Sequence, residues 1–144
     1  MPETKLRSYL AYLLSEAEQV VNRGLGEALA AEGMTVEQWR ILRALSDGHG
    51  HSMGDLAAAV LMPHPTLTKA VDRLIDNALV YRRQDEIDRR RVAVFLAERG
   101  QRAIERLDRH AAEHHRAIEA AYGAARTERL MKELSKLVER LSSP

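Results

Sequence analysis

The chain has 144 residues, the size of one domain with an appendage, and no cysteine, which excludes a disulfide scaffold, a thiolate zinc site and a thiol redox sensor. Hydrophobic residues make up 45% but aromatic residues only 4%, so the core has to come from Leu, Ala, Val and Ile, which suits helices. Lys+Arg 22 against Asp+Glu 21 leaves a formal charge of +1, so only the distribution of charge can point to nucleic acid.

The first stretch has a helical period. Leu6, Leu10, Leu13, Leu14, Ala17, Val20, Val21, Leu25 and Leu29 recur at threes and fours, predicting a helix from about Thr4 to Ala31 with Gly33 as its stop. Gly24 and Gly26 weaken its second half by roughly 1 kcal/mol each relative to Ala. A second helix opens at Thr35 with a capping box, Thr35-Val36-Glu37-Gln38, and stops near Gly48. His49-Gly50-His51 reads as a turn. Ser52 is a candidate N-cap, with Asp55 in the first turn of a short helix ending near Val60. Pro63-His64-Pro65 forces a break, and a further helix follows, from His64 or Pro65 to Asn77. Two short helices joined by a tight turn outline a helix-turn-helix.

After Asn77 the period changes to two. Val80 to Arg83 is extended, and Val92, Val94 and Leu96 alternate with Ala93 and Phe95 as a second strand. The polar segment from Asp85 to Arg90 between them makes a hairpin. From about Glu98 the helical period returns. Ile104, Leu107, Ala111, His114, Ile118 and Ala121 follow a coiled-coil seam, interrupted at Gly123, and a last helix is expected from Thr127. Both termini are thus amphipathic helices that one small domain cannot cover. A twofold homodimer built from them is the economical expectation. No apolar run approaches a membrane span, and no signal pattern opens the chain, so a cytoplasmic location is expected.

On the helix after Pro65, one face is apolar: Leu67, Val71, Leu74, Ile75 and Ala78. Opposite stand Thr66, Lys69 and Arg73, with Pro65 beside them and Thr68 and Asp72 on the flanks. Arg and Lys can donate to guanine O6 and N7, and threonine can meet a phosphate, a base edge or a thymine methyl. An ordinary solvated face has the same composition; the neighbouring helix and hairpin favour DNA. The hairpin carries Arg82, Arg83, Arg89, Arg90 and Arg91 within ten residues. Their mutual repulsion asks for an anionic partner, and an arginine at a hairpin tip suits a narrow minor groove.

TVEQWRILRAL, SMGDLAAAV, PTLTKAVDRLIDNALVYRR and DEIDRRRVAVFLAERG, within Thr35 to Gly100, resemble the winged-helix domain of the multiple-antibiotic-resistance regulator (MarR) family. The flanking helices agree in length and order, so the resemblance spans nearly the whole chain. It implies a mainly α fold with a small β-hairpin. A winged helix-turn-helix would occupy 34–100, and a helical dimerisation region 1–33 and 101–144. It implies a homodimeric regulator, a repressor by preference, on a pseudo-palindromic double-stranded operator. Carried over residue by residue, Thr66, Thr68, Lys69 and Arg73 match recognition-helix positions. Asp88 and Arg90 match the wing's acid and minor-groove arginine, with Arg89 beside them, and Ser52 matches a capping hydroxyl. Two departures stand out. Pro63-His64-Pro65 replaces a polar start of the recognition helix, and Ala97 stands where a hydroxyl cap is common.

The resemblance further implies release of DNA by small phenols or aromatic carboxylates, bound where the dimer helices meet the DNA lobe. Tyr9, Tyr12, Trp39, Arg40 and Arg43 are the candidates, an aromatic wall with arginines for a planar anion. A buried core Trp with solvated arginines is the plain alternative. His110 and His114, at i and i+4, give a zinc-responsive alternative, but too few further ligands can be named to assign a metal or any cofactor. A helical protein-interaction module is the other competing class; it has no use for an arginine-rich hairpin. An enzyme is not expected: the sequence offers no nucleophile with a base, no paired carboxylates and no phosphate-cradling loop.

Overall fold

The structure, a computed structural model, describes residues 5–144; the expected helix start at Thr4 lies outside them. A 3₁₀ turn, Lys5–Ser8, precedes α1 (Leu10–Ala30). Then follow α2 (Val36–Leu45), β1 (His51–Ser52), α3 (Met53–Val60), α4 (His64–Asp76), β2 (Val80–Gln84), β3 (Val92–Leu96), α5 (Glu98–Tyr122) and α6 (Ala124–Ser142). Among the described residues no helix is long and apolar enough to cross a membrane.

The expected first helix is shorter and its stripe is divided. Tyr9 is extended (φ −109°, ψ 131°) and separates the 3₁₀ turn from α1. Leu25 and Leu29 enter the core, while Leu6, Leu10, Leu13, Leu14, Val20 and Val21 stay exposed. Gly33, at φ +70°, ends the helix as its position suggests.

The cap of α2 forms as the spelling requires: Gln38 N–H donates to Thr35 Oγ1 at 3.1 Å, and Thr35 N–H to Gln38 Oε1 at 3.0 Å. Ser52 caps α3 by accepting the Asp55 N–H at 3.1 Å. The segment read as a turn at His49–His51 ends in a strand instead. His51 and Ser52 pair antiparallel with Val94 and Ala93, giving a three-stranded sheet in the order β1-β3-β2. Asp47 holds the approach to β1, accepting the His49 N–H at 2.9 Å and His51 Nε2 at 2.8 Å. These bonds, the backbone one foremost, hold its carboxyl below the ordinary value against the opposing effect of burial.

One core joins α1 to α5 and the sheet. Ile41, Leu42 and Leu45 of α2 meet Leu56, Leu67, Val71 and Leu74 of the two-helix motif, Val94 of the sheet, Leu29 of α1 and Leu107 of α5. Each such side chain, fully buried, contributes about 1.5–3 kcal/mol. The face predicted for α4 holds with one exception: Ala78 lies past the helix end at φ 59° and is exposed, and Leu79 is buried in its place. In β3 the simple alternation fails. Val92 is exposed near the hairpin tip, and Ala93 is buried together with Val94, because β1 covers that edge.

α6 starts at Ala124, not at Thr127. The Thr127 hydroxyl donates to the Gly123 carbonyl at 2.8 Å from inside the helix, so it is no N-cap. Gly123 (φ 107°) makes the corner between α5 and α6. The apolar residues Leu130, Met131, Leu134, Val138 and Leu141 of α6 remain exposed.

Candidate nucleic-acid interface

α4 begins without distortion despite its prolines. Pro63 is the N-cap residue, the Leu67 N–H donates to its carbonyl at 3.0 Å, and Pro65 sits in the first turn, where a missing N–H costs nothing. Pro65, Thr66, Thr68, Lys69 and Arg73 are all exposed, opposite the buried Leu67, Val71 and Leu74. The Thr68 hydroxyl donates to the His64 carbonyl at 2.9 Å, so its proton is used locally and its lone pairs face out. Among the described residues no carboxylate lies within 4.0 Å of Lys69 or Arg73.

The wing strands pair from Val80–Leu96 to Gln84–Val92. The loop is held by its own acids. Asp85 N–H donates to the Arg91 carbonyl at 2.9 Å, and Asp85 Oδ1 accepts the Ile87 N–H at 2.9 Å. Asp88 Oδ1 accepts both the Arg90 N–H at 3.1 Å and Arg90 Nε at 3.3 Å. The Arg90 side chain is nevertheless 92% exposed.

The five wing arginines are not equivalent. Arg82 reaches back to Asp72 of α4 at 2.7 Å. Arg83 lies 4.5 Å over the Phe95 ring, which itself stacks on Tyr81, and approaches Glu86 at 3.5 Å. Arg89 and Arg91 have no carboxylate partner among the described residues. The Asp72–Arg82 contact joins the middle of β2 to the outer flank of α4. Sequence reasoning placed Asp72 on that flank but missed its partner, ten residues away on another element.

The effector candidates separate into two groups. Trp39, Arg40 and Arg43 line one cleft of about 350 Å³, with Ala44, Ala59, Val60 and Leu61. Trp39 is half-buried against the core, and its Nε1 donates to Asp108 Oδ1 of α5 at 3.1 Å. Arg43 approaches the other oxygen of Asp108 at 3.6 Å, and Arg40 reaches Asn22 of α1 at 3.5 Å. Tyr9 and Tyr12 are not among the cleft residues. Tyr12 precedes Asn22, the α1 residue that Arg40 reaches, by ten positions, about 15 Å of helix. Asp108 was not foreseen; its partners are 69 and 65 residues away in sequence, 108 − 39 and 108 − 43.

His110 and His114 do not converge on a shared ligand. His110 Nε2 bonds Glu32 at 3.2 Å, and the His114 ring occupies the notch that Gly24 leaves in α1. Arg106 joins Glu32 at 3.3 Å. Among the described residues no group of three or more His, Cys, Asp or Glu gathers in a way that could hold a metal ion.

Comparison with known proteins agrees with this geometry. The model of the MarR family matches residues 32–91. Over 99% of its length the chain is 28% identical to the HTH-type transcriptional regulator FarR of Neisseria gonorrhoeae, all of which is covered. The fold is that of the transcriptional repressor CouR, solved bound to a 23-mer DNA duplex (TM-score 0.86, 21% identity, 96% of this chain and 98% of that one). It is also that of Bordetella bronchiseptica BpsR, a protein whose DNA binding is regulated by 6-hydroxynicotinic acid (TM-score 0.83, 23% identity, 95% and 97% covered). Residues 32–91 thus resemble the MarR family, within a winged helix-turn-helix fold that the chain shares with these solved structures over nearly its whole length.

Proposed function

We propose that the chain is a cytoplasmic, homodimeric repressor that reads a pseudo-palindromic operator and releases it when an aromatic carboxylate or phenol binds. The observation that carries the DNA reading is the exposed outer face of α4, with Lys69 and Arg73 clear of any carboxylate among the described residues, tied to the wing by the Asp72–Arg82 contact. In that reading Lys69 and Arg73 donate to base edges or phosphates, Pro65, Thr66 and Thr68 shape the first turns against the groove, and Arg89 and Arg90 enter the minor groove. Asp88 aims Arg90. Ser52, whose oxygen already accepts a backbone bond, has its hydroxyl proton free for a phosphate. In this reading residues 34–100 form the DNA lobe, and 1–33 with 101–144 form the dimerisation region. Support for the dimer comes from the exposed apolar residues at both ends, Leu6, Leu10 and Leu13 at one and Leu134, Val138 and Leu141 at the other, which a second copy would cover.

The effector site in this reading is the cleft of Trp39, Arg40 and Arg43. Its apolar floor and two arginines suit a flat organic anion. Tyr9 and Tyr12 are left out of it. Regulation of BpsR by an aromatic acid supports this chemistry by analogy of fold alone. Zinc response is the weaker alternative, because His110 is already engaged by Glu32.

The experiment is selection of duplexes from a random pool by the purified protein, with its mass measured in solution. Dyad-symmetric sites with half-site centres roughly 34 Å apart, and a dimer mass, are expected. Sites without symmetry, or a monomer at micromolar concentration, refute the reading.

A further inference from the structure

We infer that Asp108 is an internal carboxylate that holds the DNA lobe to the long helix, and that an organic carboxylate in the adjoining cleft takes Arg43 away from it. This rests on the effector reading above. It adds the residue through which occupancy reaches the lobe.

The geometry is specific. The two oxygens of Asp108 serve two side chains of α2: Oδ1 accepts the indole N–H of Trp39 at 3.1 Å, and Oδ2 stands 3.6 Å from Arg43 Nη1. The first is a formed hydrogen bond. The second is an ion pair beyond hydrogen-bond length; the same Nη1 donates to Ser46 Oγ at 3.3 Å, on its own helix end, and the Arg43 side chain is 60% exposed. Asp108 therefore holds Trp39 firmly and Arg43 loosely. Trp39, Arg40 and Arg43 also line the cleft, so the group that Asp108 holds loosely faces the space that a ligand would fill. Arg40, the second arginine there, has only the Asn22 amide oxygen at 3.5 Å and no carboxylate within 4.0 Å among the described residues.

A carboxylate entering the cleft meets Arg43, while the Arg40 guanidinium reaches Asn22, outside the cleft lining. The ligand can offer Arg43 a bidentate contact that Asp108 does not make, since one Asp108 oxygen is committed to the indole. Once Arg43 turns to the ligand, Asp108 keeps a single bond to α2, and the tie from α5 to α2 slackens. α2 packs on both helices of the helix-turn-helix, so its position bears on the angle of α4. A ligand with differential affinity for the slackened arrangement shifts the population toward it. Asp108 is a positioning residue: it touches neither DNA nor the ligand.

The test uses the full-length wild type with Asp108→Asn and Asp108→Glu. The DNA is the duplex selected above, and the probes are benzoate and benzamide, equal in shape and different in charge. Trp39 is the sole tryptophan, so its emission reports its bond to Asp108 directly. Circular dichroism verifies that each variant is folded. Without a probe, Asp108→Asn should shift the Trp39 emission and weaken operator binding about fivefold or more, and Asp108→Glu should restore much of both. With probes, benzoate but not benzamide should weaken wild-type operator binding. Asp108→Asn should bind benzoate several-fold more tightly than wild type, its competitor being gone, with little further loss of DNA. If benzoate binds wild type and Asp108→Asn equally and releases DNA from both alike, the exchange is overturned and the effector cleft stands. If benzoate binds neither chain, the carboxylate cleft and the exchange fall together. If it binds and benzamide acts as well as benzoate, charge competition is excluded.

Discussion

The guanidinium of Arg82 lies 2.7 Å from the carboxylate of Asp72, and this contact joins β2 of the wing to α4. Both side chains are well exposed, so the pair contributes only about 0–1 kcal/mol to folding. In the proposed DNA reading its effect is on the charge of the binding face. Asp72 stands on α4 between Lys69 and Arg73, and without a cation beside it this carboxylate repels phosphate. Arg82→Ala is therefore expected to weaken DNA binding with little change in melting temperature. Asp72→Asn should be neutral or slightly favourable, and the double variant should recover most of the loss. Operator affinities for the four proteins should give a coupling of about 1 kcal/mol. A double variant as weak as Arg82→Ala alone means that Arg82 acts on DNA directly.

Arg90→Ala should lower affinity while leaving the chain folded. Its side chain is 92% exposed and, among the described residues, its only carboxylate partner is Asp88, on the same loop. Losing one phosphate or minor-groove contact reduces the slope of log affinity against log salt by about one. A salt series parallel to that of wild type removes Arg90 from the interface.

The features legible in the sequence were those written over three or four consecutive positions. The capping box at Thr35–Gln38, the Ser52 cap, the break at Pro63 and the apolar face through Leu67, Val71 and Leu74 all follow from local chemistry. β1 was missed because two residues make a strand only when Val94 and Ala93 are alongside, some forty positions on. The start of α6 was misplaced because threonine serves two roles with the same hydroxyl, and only the bond to the Gly123 carbonyl distinguishes them. In the candidate site, exposed residues of α4 and the wing could be named from patterning. The acids that tie elements together, Asp72 to Arg82 of the wing and Asp108 to Trp39 and Arg43 of α2, act across elements, and no periodicity announces such partners. Gly24 looked like a weak point of α1; its reason is the His114 ring, which a Cβ there would meet at 2.7 Å.

Gly100→Ala should destabilise the protein even though alanine is the better helix former by about 1 kcal/mol. Gly100 lies in the first turn of α5, buried against the end of the α4 segment. A Cβ there would collide with the Leu79 carbonyl oxygen and the Leu96 side chain. The carbonyl cannot step aside, since it accepts the Ala97 N–H at 3.0 Å and sits at the root of β2. The steric term should win, with a net loss of about 1–3 kcal/mol in chemical denaturation. A variant as stable as wild type shows that α5 can slide along Leu79, and the close seat of the wing on α5 would then carry no cost.

Stability at low pH should report the contact between Glu32 and α5. Glu32 follows α1 and accepts bonds from His110 Nε2 at 3.2 Å and Arg106 Nε at 3.3 Å. The His110 bond is the largest cause of a carboxyl held below its ordinary value of 4.5; Arg106 adds to it, and burial opposes it. A carboxyl depressed in the folded state contributes stability that is fully present above the unfolded value and is lost as pH falls through the folded one. Thermal melts of wild type and Glu32→Gln should therefore differ most above pH 4.5, wild type being the more stable, and converge below it. The glutamine keeps the shape and removes the charge. Asp47, the other carboxyl held low, titrates in both proteins and cancels in the difference. A gap that stays constant down through this range means that the charge of Glu32 does not tie α1 to α5, and the contact would then be one of shape alone.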